Sequence, residues 1–172
     1  LPEFMQASMK NYFQMPQIAH FNDKFRDGVA GDLNDADLGY AGGDVTETEC
    51  IKAALSGYSD TSYACHVFSK SAQSVNYVEC HDNMTVADKV ALGDNGKEEA
   101  LFMMGIVLFA QGIPFLQIGQ SFFRDKQGDE NSYKSPDTVN RINWSMLDEN
   151  RSMNNTVKEW IKLRKQMYKI KE

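Results

Sequence analysis

No apolar run in this chain is long enough to cross a bilayer. The longest, residues 100–110, has 11 residues, whereas a spanning helix needs about 20; its all-round hydrophobicity fits a buried helix. Cysteine is scarce, and Cys50, Cys65 and Cys80 are odd in number with no metal-binding spacing. Free thiols are therefore expected, with Cys80 a small packed residue and not a nucleophile. His20 and His66 stand alone and read as structural. Basic residues are outnumbered, 18 Lys+Arg against 24 Asp+Glu for a net charge of −6, which argues against nucleic acid or an anionic membrane as partner. Internal repeats and low-complexity runs are absent. The chain opens on Leu1, not methionine, so the lack of a secretory leader excludes no compartment.

What is present is a core-forming composition, 42% hydrophobic and 11% aromatic, and three polar clusters that follow apolar segments. The sharpest is Tyr77-Val78-Glu79-Cys80-His81-Asp82-Asn83. Residues 75–78 have strand propensity, residues 71–74 supply turn chemistry before them, and the run ends abruptly in His-Asp-Asn. Parallel α/β folds place their chemistry at such carboxyl ends of strands. Taken alone, a His-Asp pair equally suits a loop that caps the next helix. The second cluster joins the apolar helix to a short strand through residues 111–120. The third, residues 128–144, brings acids, amides and Arg141 into one long polar loop suited to a ligand with many hydroxyls.

Together these segments resemble the α-amylase superfamily of glycoside hydrolases, most closely the type I pullulanases, which hydrolyse α-1,6 branch points. Three blocks carry the resemblance over roughly residues 10–165. In residues 14–27, Phe21-Asn22-Asp23 ends a strand before a helix that contains Arg26-Asp27. Tyr77 to Asn83 is the second block, with Thr85 and the Asp88-Lys89 pair in keeping. The third runs from Gln111 to Trp144 and includes Gly128-Asp129-Glu130-Asn131-Ser132-Tyr133 and Ser135-Pro136-Asp137. The resemblance implies an α/β fold, a partial (β/α)8 TIM barrel comprising strand 6 at about 18–21, strand 7 at about 75–79 and strand 8 at about 113–118, with their helices. A closed barrel needs roughly 250 residues. Residues 1–172 are accordingly expected to be one fragment of the catalytic domain, without the C-terminal β-domain and without the strands that carry the nucleophile and the acid.

Retaining glycoside hydrolysis uses two carboxyl groups about 5 Å apart, one nucleophilic and one acidic, and the resemblance places both outside this chain. It assigns Asp82 as the aspartate that stabilises the transition state through the hydroxyls of the bound sugar. His81 donates to the same sugar, and Asp137 and Arg141 grip the neighbouring one. Asn83 shapes the turn, and Asp129 and Glu130 order their loop. The expected partner is an α-glucan: pullulan, glycogen or starch dextrins. The fragment is expected to be inactive alone, to need the rest of the barrel and to self-associate. An α-1,4-acting amylase or neopullulanase relative and a noncatalytic glucan-binding module are the alternatives.

No cofactor is implied. Residues 31–37 carry acids at short spacing, which raises Ca2+ as a possibility, but they lack the glycine and distant Glu of an EF-hand, and an exposed acidic turn is favoured. Residues 39–43 are expected to continue as flexible loop. Ser121 stands where relatives usually have a Glu, and its anchoring of the loop after strand 8 is expected to be weaker. The last helix is amphipathic, with Val157, Trp160, Ile161, Met167 and Tyr168 inward and Lys158, Glu159, Lys162 and Lys165 outward. Asn154 or Asn155 caps its start, and Lys165, Lys169 and Lys171 complement its negative pole.

Overall fold

A buried asparagine sets where the first strand ends and the first helix begins. In the computed structural model, which describes residues 14–46, 48–93 and 96–169, β1 (His20–Phe21) runs into Asn22, whose side-chain oxygen accepts the Phe25 N–H at 3.2 Å and caps α1 (Asp23–Ala30). The Asn22 amide also donates to Ser74 Oγ at 2.9 Å. Ser74 opens β2 (Ser74–Asn76), and its hydroxyl donates to Asn76 Oδ1 at 2.6 Å. Asn76 Nδ2 in turn donates to the Gln111 carbonyl at 2.6 Å, just before β3 (Ile113–Pro114). A line of polar side chains thus ties three strands together from within.

The sheet has the order β1-β2-β3, and both pairings are parallel, with His20 opposite Ser74 and Val75 opposite Ile113. Parallel neighbours require crossover connections. Here α1 and α2 (Thr48–Leu55) lie between β1 and β2, and α3 (Val86–Val90) and α4 (Lys97–Phe109) between β2 and β3. Each strand falls where the sequence predicts it, but all are shorter. The ladder adds only Asn22 N to Val75 O and Phe115 N to Asn76 O, because the chain beside β2 has already turned into α1.

Helix α4 supplies the centre of the apolar core. Met103, Met104 and Val107 are fully buried beside Phe25 and Val29 of α1 and Val157 of the last helix. Its burial is not all-round: Phe102 remains 48% exposed and stacks on Tyr40 with ring centroids 6.3 Å apart. The other residues from Ala100 to Ala110 are buried or half-buried.

Beyond β3 lie the short helices α5 (Asp137–Asn140) and α6 (Ser145–Glu149), then α7 (Arg151–Lys169). Val157 and the half-buried Trp160 and Ile161 face inward as expected, and Lys158, Glu159, Lys162 and Lys165 face outward. Two expectations for α7 are corrected. It starts at Arg151, so Asn154 and Asn155 lie inside it, where Asn154 accepts the Ser121 hydroxyl at 2.9 Å. Met167 is 46% exposed. Arg164 takes the inward place, donating to the carbonyls of Leu108, Ala110 and Gly112 and so satisfying the open end of α4. The side chains of Tyr168 and Lys169, and Lys171 as a whole, lie outside the described residues.

The acidic segment after α1 is folded back on itself. Asp35 Oδ1 accepts the Asp37 N–H and Asp37 Oδ1 the Gly39 N–H, each at 2.8 Å, and the buried Lys89 ammonium donates to the carbonyls of Ala30 and Asp32. Gly39–Gly42 forms a 3-10 turn with Gly39 buried, in place of the expected flexible loop. Close backbone approach explains the glycines. A Cβ on Gly31, at φ +71°, would meet Asp37 O at 2.3 Å and Gly39 N at 2.6 Å. We expect Gly31→Ala to destabilise the chain by about 2 kcal/mol or more, read as a lower urea midpoint at unchanged slope. An unchanged midpoint would show that the turn yields freely.

Candidate active site

The loops that leave the carboxyl ends of β2 and β3 meet on one side of the sheet, and buried charges join them. After β2, Tyr77 and Glu79 point into the protein. The Tyr77 hydroxyl donates to Asp23 Oδ1 at 2.5 Å and accepts from the Arg26 guanidinium at 2.8 Å. Burial, reinforced by Asp23, raises its pKa well above the ordinary phenol range. This fastens the end of β2 to the first turn of α1.

Glu79 Oε2 accepts the Val86 N–H at 2.8 Å, so a carboxyl at the strand end holds the first turn of α3 and closes the intervening loop at its base. Burial pushes the Glu79 pKa up to about 8; the Val86 bond and the charges of Arg124 and Lys126 oppose that rise, and Asp88 adds to it. At neutral pH the group is chiefly protonated.

Within that loop, His81 and Asp82 are the exposed residues. His81 Nε2 lies 3.4 Å from Asp82 Oδ2, and their side chains are 81% and 71% exposed. Asn83 follows at φ 61° and turns the chain, as expected from the sequence. The Cys80 thiol lies 3.9 Å from the Asp82 carbonyl, and burial raises its pKa. Asp82 stands at the rim of a cleft also lined by Arg26, Gly31, Leu33 and Tyr77. Among the described residues, Cys80, His81 and Asp82 form one group whose ligand atoms lie within 4.8 Å of one another, with no ion between them.

Asp88 joins this loop to the one after β3. Thr85 and Asp88 form a capping box at the start of α3. The same carboxylate accepts the Lys126 N–H through Oδ2 and the Gly128 N–H through Oδ1, both at 2.8 Å. Lys126 then sends its buried ammonium to the His81 carbonyl at 3.3 Å and to Ser132 Oγ at 3.2 Å.

Ser132 belongs to the third cluster, whose geometry is set by amides. Asn140 Nδ2 donates to the carbonyls of Ser132 and Ser135, and Arg124 donates to the Asn140 carbonyl at 3.1 Å. Asp129 accepts the Asn131 N–H and the Ser135 hydroxyl, so it orders the loop as expected; Glu130 is exposed. Asp137 opens α5 and Arg141 follows it, both exposed. Their link is the backbone bond from Arg141 N to Asp137 O at 2.8 Å, and no side-chain ion pair joins them among the described residues. The mutual pairing open to an Asp and an Arg four apart is therefore not formed, and both side chains face solvent.

All four expected site residues thus lie on strand-end loops: His81 and Asp82 on one, Asp137 and Arg141 on the other, with Lys126 bridging the two. Sequence reasoning missed Glu79, Arg124 and Lys126 and took Asp88 only as part of a matching block. The Thr85-x-x-Asp88 spacing is a capping-box signal that identifies Asp88. For Glu79, Arg124 and Lys126, nothing in the sequence distinguishes buried charge from exposed charge.

Polar loops at the carboxyl ends of a parallel β/α layer are the layout of α/β enzymes. No protein-family model matches the chain. Bacillus subtilis pullulanase is 34% identical over 172 residues, an alignment that takes in 96% of this chain and 24% of that protein. The crystal structure of the type I pullulanase from Bacillus subtilis complexed with maltose superposes with a TM-score of 0.86 at 35% identity, over 91% of this chain and 23% of that one. Pullulanase from an Anoxybacillus species gives a TM-score of 0.83 at 41% identity, again over 91% and 23%. The chain is therefore similar, along nearly its whole length, to a segment of pullulanases, and it spans about a quarter of the relatives it matches.

The Glu79 carboxyl makes stability depend on pH. Its pKa is raised in the folded state, so its contribution is fully present below the ordinary value of 4.5 and is lost as pH rises through about 8. Glu79→Gln should flatten the change in urea midpoint between pH 5 and pH 8 relative to the parent. Parallel profiles would contradict a protonated Glu79.

Proposed function

We propose that this chain is part of a pullulanase-type debranching glycosidase of the α-amylase superfamily. In this reading residues 1–172 supply the last three β/α units of a (β/α)8 barrel, and the nucleophile and the general acid come from other strands. The supporting observation is the juxtaposition of three consecutive parallel strands whose carboxyl-end loops carry His81, Asp82, Asp137 and Arg141, in a chain similar to pullulanases over nearly all its length.

The reaction is hydrolysis of α-1,6 branch points in pullulan, glycogen or starch dextrins with retention. Asp82 accepts hydrogen bonds from hydroxyls of the sugar at the cleavage position. Those bonds strengthen as the ring flattens toward an oxocarbenium ion, so they lower the barrier more than they tighten binding. His81, 3.4 Å from Asp82, donates to the same sugar. Asp137 and Arg141, each free of the other, grip vicinal hydroxyls of the neighbouring glucose, a geometry suited to a carboxylate and a forked guanidinium. Relatives have been crystallised with maltose, maltotriose and maltotetraose, ligands of the class this reading requires.

The surface suits incorporation into a larger barrel. Among the described residues β1 and β3 are the sheet edges, Ile18, Phe21 and Ile113 are about 40% exposed, and an apolar groove of about 430 Å³ lies between Leu108, Pro114, Leu116 and Ile161. Unpaired parallel edges and uncovered apolar side chains favour association. The isolated chain should therefore self-associate and leave pullulan intact, and mixing it with a polypeptide carrying the remaining strands should restore hydrolysis. A chain that stays monomeric, or one that hydrolyses pullulan unaided, would contradict this. In the full-length protein, Asp82→Asn should lower kcat on pullulan by about two orders of magnitude or more at an unchanged melting temperature; near-normal turnover would remove Asp82 from the mechanism.

A further inference from the structure

We propose that Lys126 is a positioning residue that couples the two sugar-contacting loops, fixing the peptide of His81, and through it Asp82, relative to the turn that carries Asp137 and Arg141. This inference rests on the debranching reading for its kinetic consequence and on geometry for the coupling itself.

Lys126 is 2% exposed. A lysine is rarely buried this deeply unless it is paired, and among the described residues this ammonium makes no ion pair with a carboxylate. Its donors go to neutral oxygens on two different loops, the His81 carbonyl at 3.3 Å and Ser132 Oγ at 3.2 Å. Burying a charge this way costs more than an apolar side chain of the same length. What the charge supplies is a bond to the peptide immediately before Asp82. Its main chain is held separately, since the Lys126 N–H donates to Asp88 Oδ2 at 2.8 Å, and so the ammonium reaches out from a fixed base. On the far side, the Ser132 carbonyl accepts Asn140 Nδ2 at 2.6 Å, one residue before Arg141. A continuous hydrogen-bonded path therefore joins the loop expected to act on the cleaved sugar to the loop expected to hold its neighbour.

The path predicts an asymmetry between its two arms. Ser132→Ala cuts only the outer arm, so it should raise KM for pullulan severalfold and leave kcat within about twofold. Lys126→Met cuts both arms and should also lower kcat by about ten- to a hundredfold, the scale at which small misplacements of a reacting group act. The double variant should be no worse than Lys126→Met alone, because both changes break one path. These values are measured in the full-length protein, with Met104→Ala as a control that destabilises the core and touches neither loop.

Amide hydrogen exchange supplies a readout that needs no hydrolysis. Lys126→Met should speed exchange over both residues 80–86 and residues 132–141, Ser132→Ala over residues 132–141 alone, and Met104→Ala over neither selectively. Exchange that is unchanged in both loops of Lys126→Met, or additive kinetic losses in the double variant, would overturn the coupling. If exchange follows the prediction but the parent protein leaves pullulan intact, the coupling stands and the debranching reading falls.

Discussion

The Asp88 carboxylate is the interaction on which the functional side of this molecule depends. It accepts hydrogen bonds from the Thr85 hydroxyl and amide, from the Lys126 N–H and from the Gly128 N–H. One buried group therefore starts α3 and also seats the loop that follows β3. Desolvating a carboxylate is costly unless its lone pairs are filled, and here they are filled by the Thr85 hydroxyl and by backbone N–H groups of the segments that follow β2 and β3. That cost selects a single arrangement: slippage of either loop would strand a buried charge.

Around this node the chain keeps its polar and apolar work apart. Helices α1, α4 and α7 build an aliphatic and aromatic core, and a line of polar side chains, Asn22, Ser74 and Asn76, threads through the sheet. Beyond the strand ends, Tyr77 and Glu79 bind back to α1 and α3. His81 and Asp82 are left outward, on a loop pinned at its base by Glu79 and at its crown by Lys126. The loop of the exposed acid is held by its backbone, and apart from the His81 ring at 3.4 Å the Asp82 carboxylate faces solvent. This is the kind of preorganisation that the proposed sugar recognition requires.

Much of this was legible in the sequence. The three strands could be placed because three blocks of the sequence resemble type I pullulanases, a resemblance that implies strands at about 18–21, 75–79 and 113–118; for the second, the strand propensity of residues 75–78 before a polar cluster says the same. Asn83 at a turn and Asp129 as a loop organiser were also readable, since short polar side chains that bond local backbone act through residues close in sequence. What escaped were long-range matters. The stripe of α7 was misjudged because Arg164 buries itself to satisfy the end of α4, a demand made by another helix that amphipathic spacing cannot reveal. The glycines of residues 39–43 suggested looseness, whereas Gly39, with Gly31, permits two backbone segments to touch. Glu79, Arg124 and Lys126 were invisible because charge in a sequence carries no mark of burial.

The most direct test of the account is a crystal structure of the full-length protein with a branched maltooligosaccharide bound. The account predicts an Asp82 carboxylate bonded to hydroxyls of one glucose, His81 beside it, and Asp137 with Arg141 on the adjoining glucose, all within about 3.2 Å. A sugar seated away from the ends of β2 and β3, or one bound there with Asp82 turned out to solvent, would contradict it.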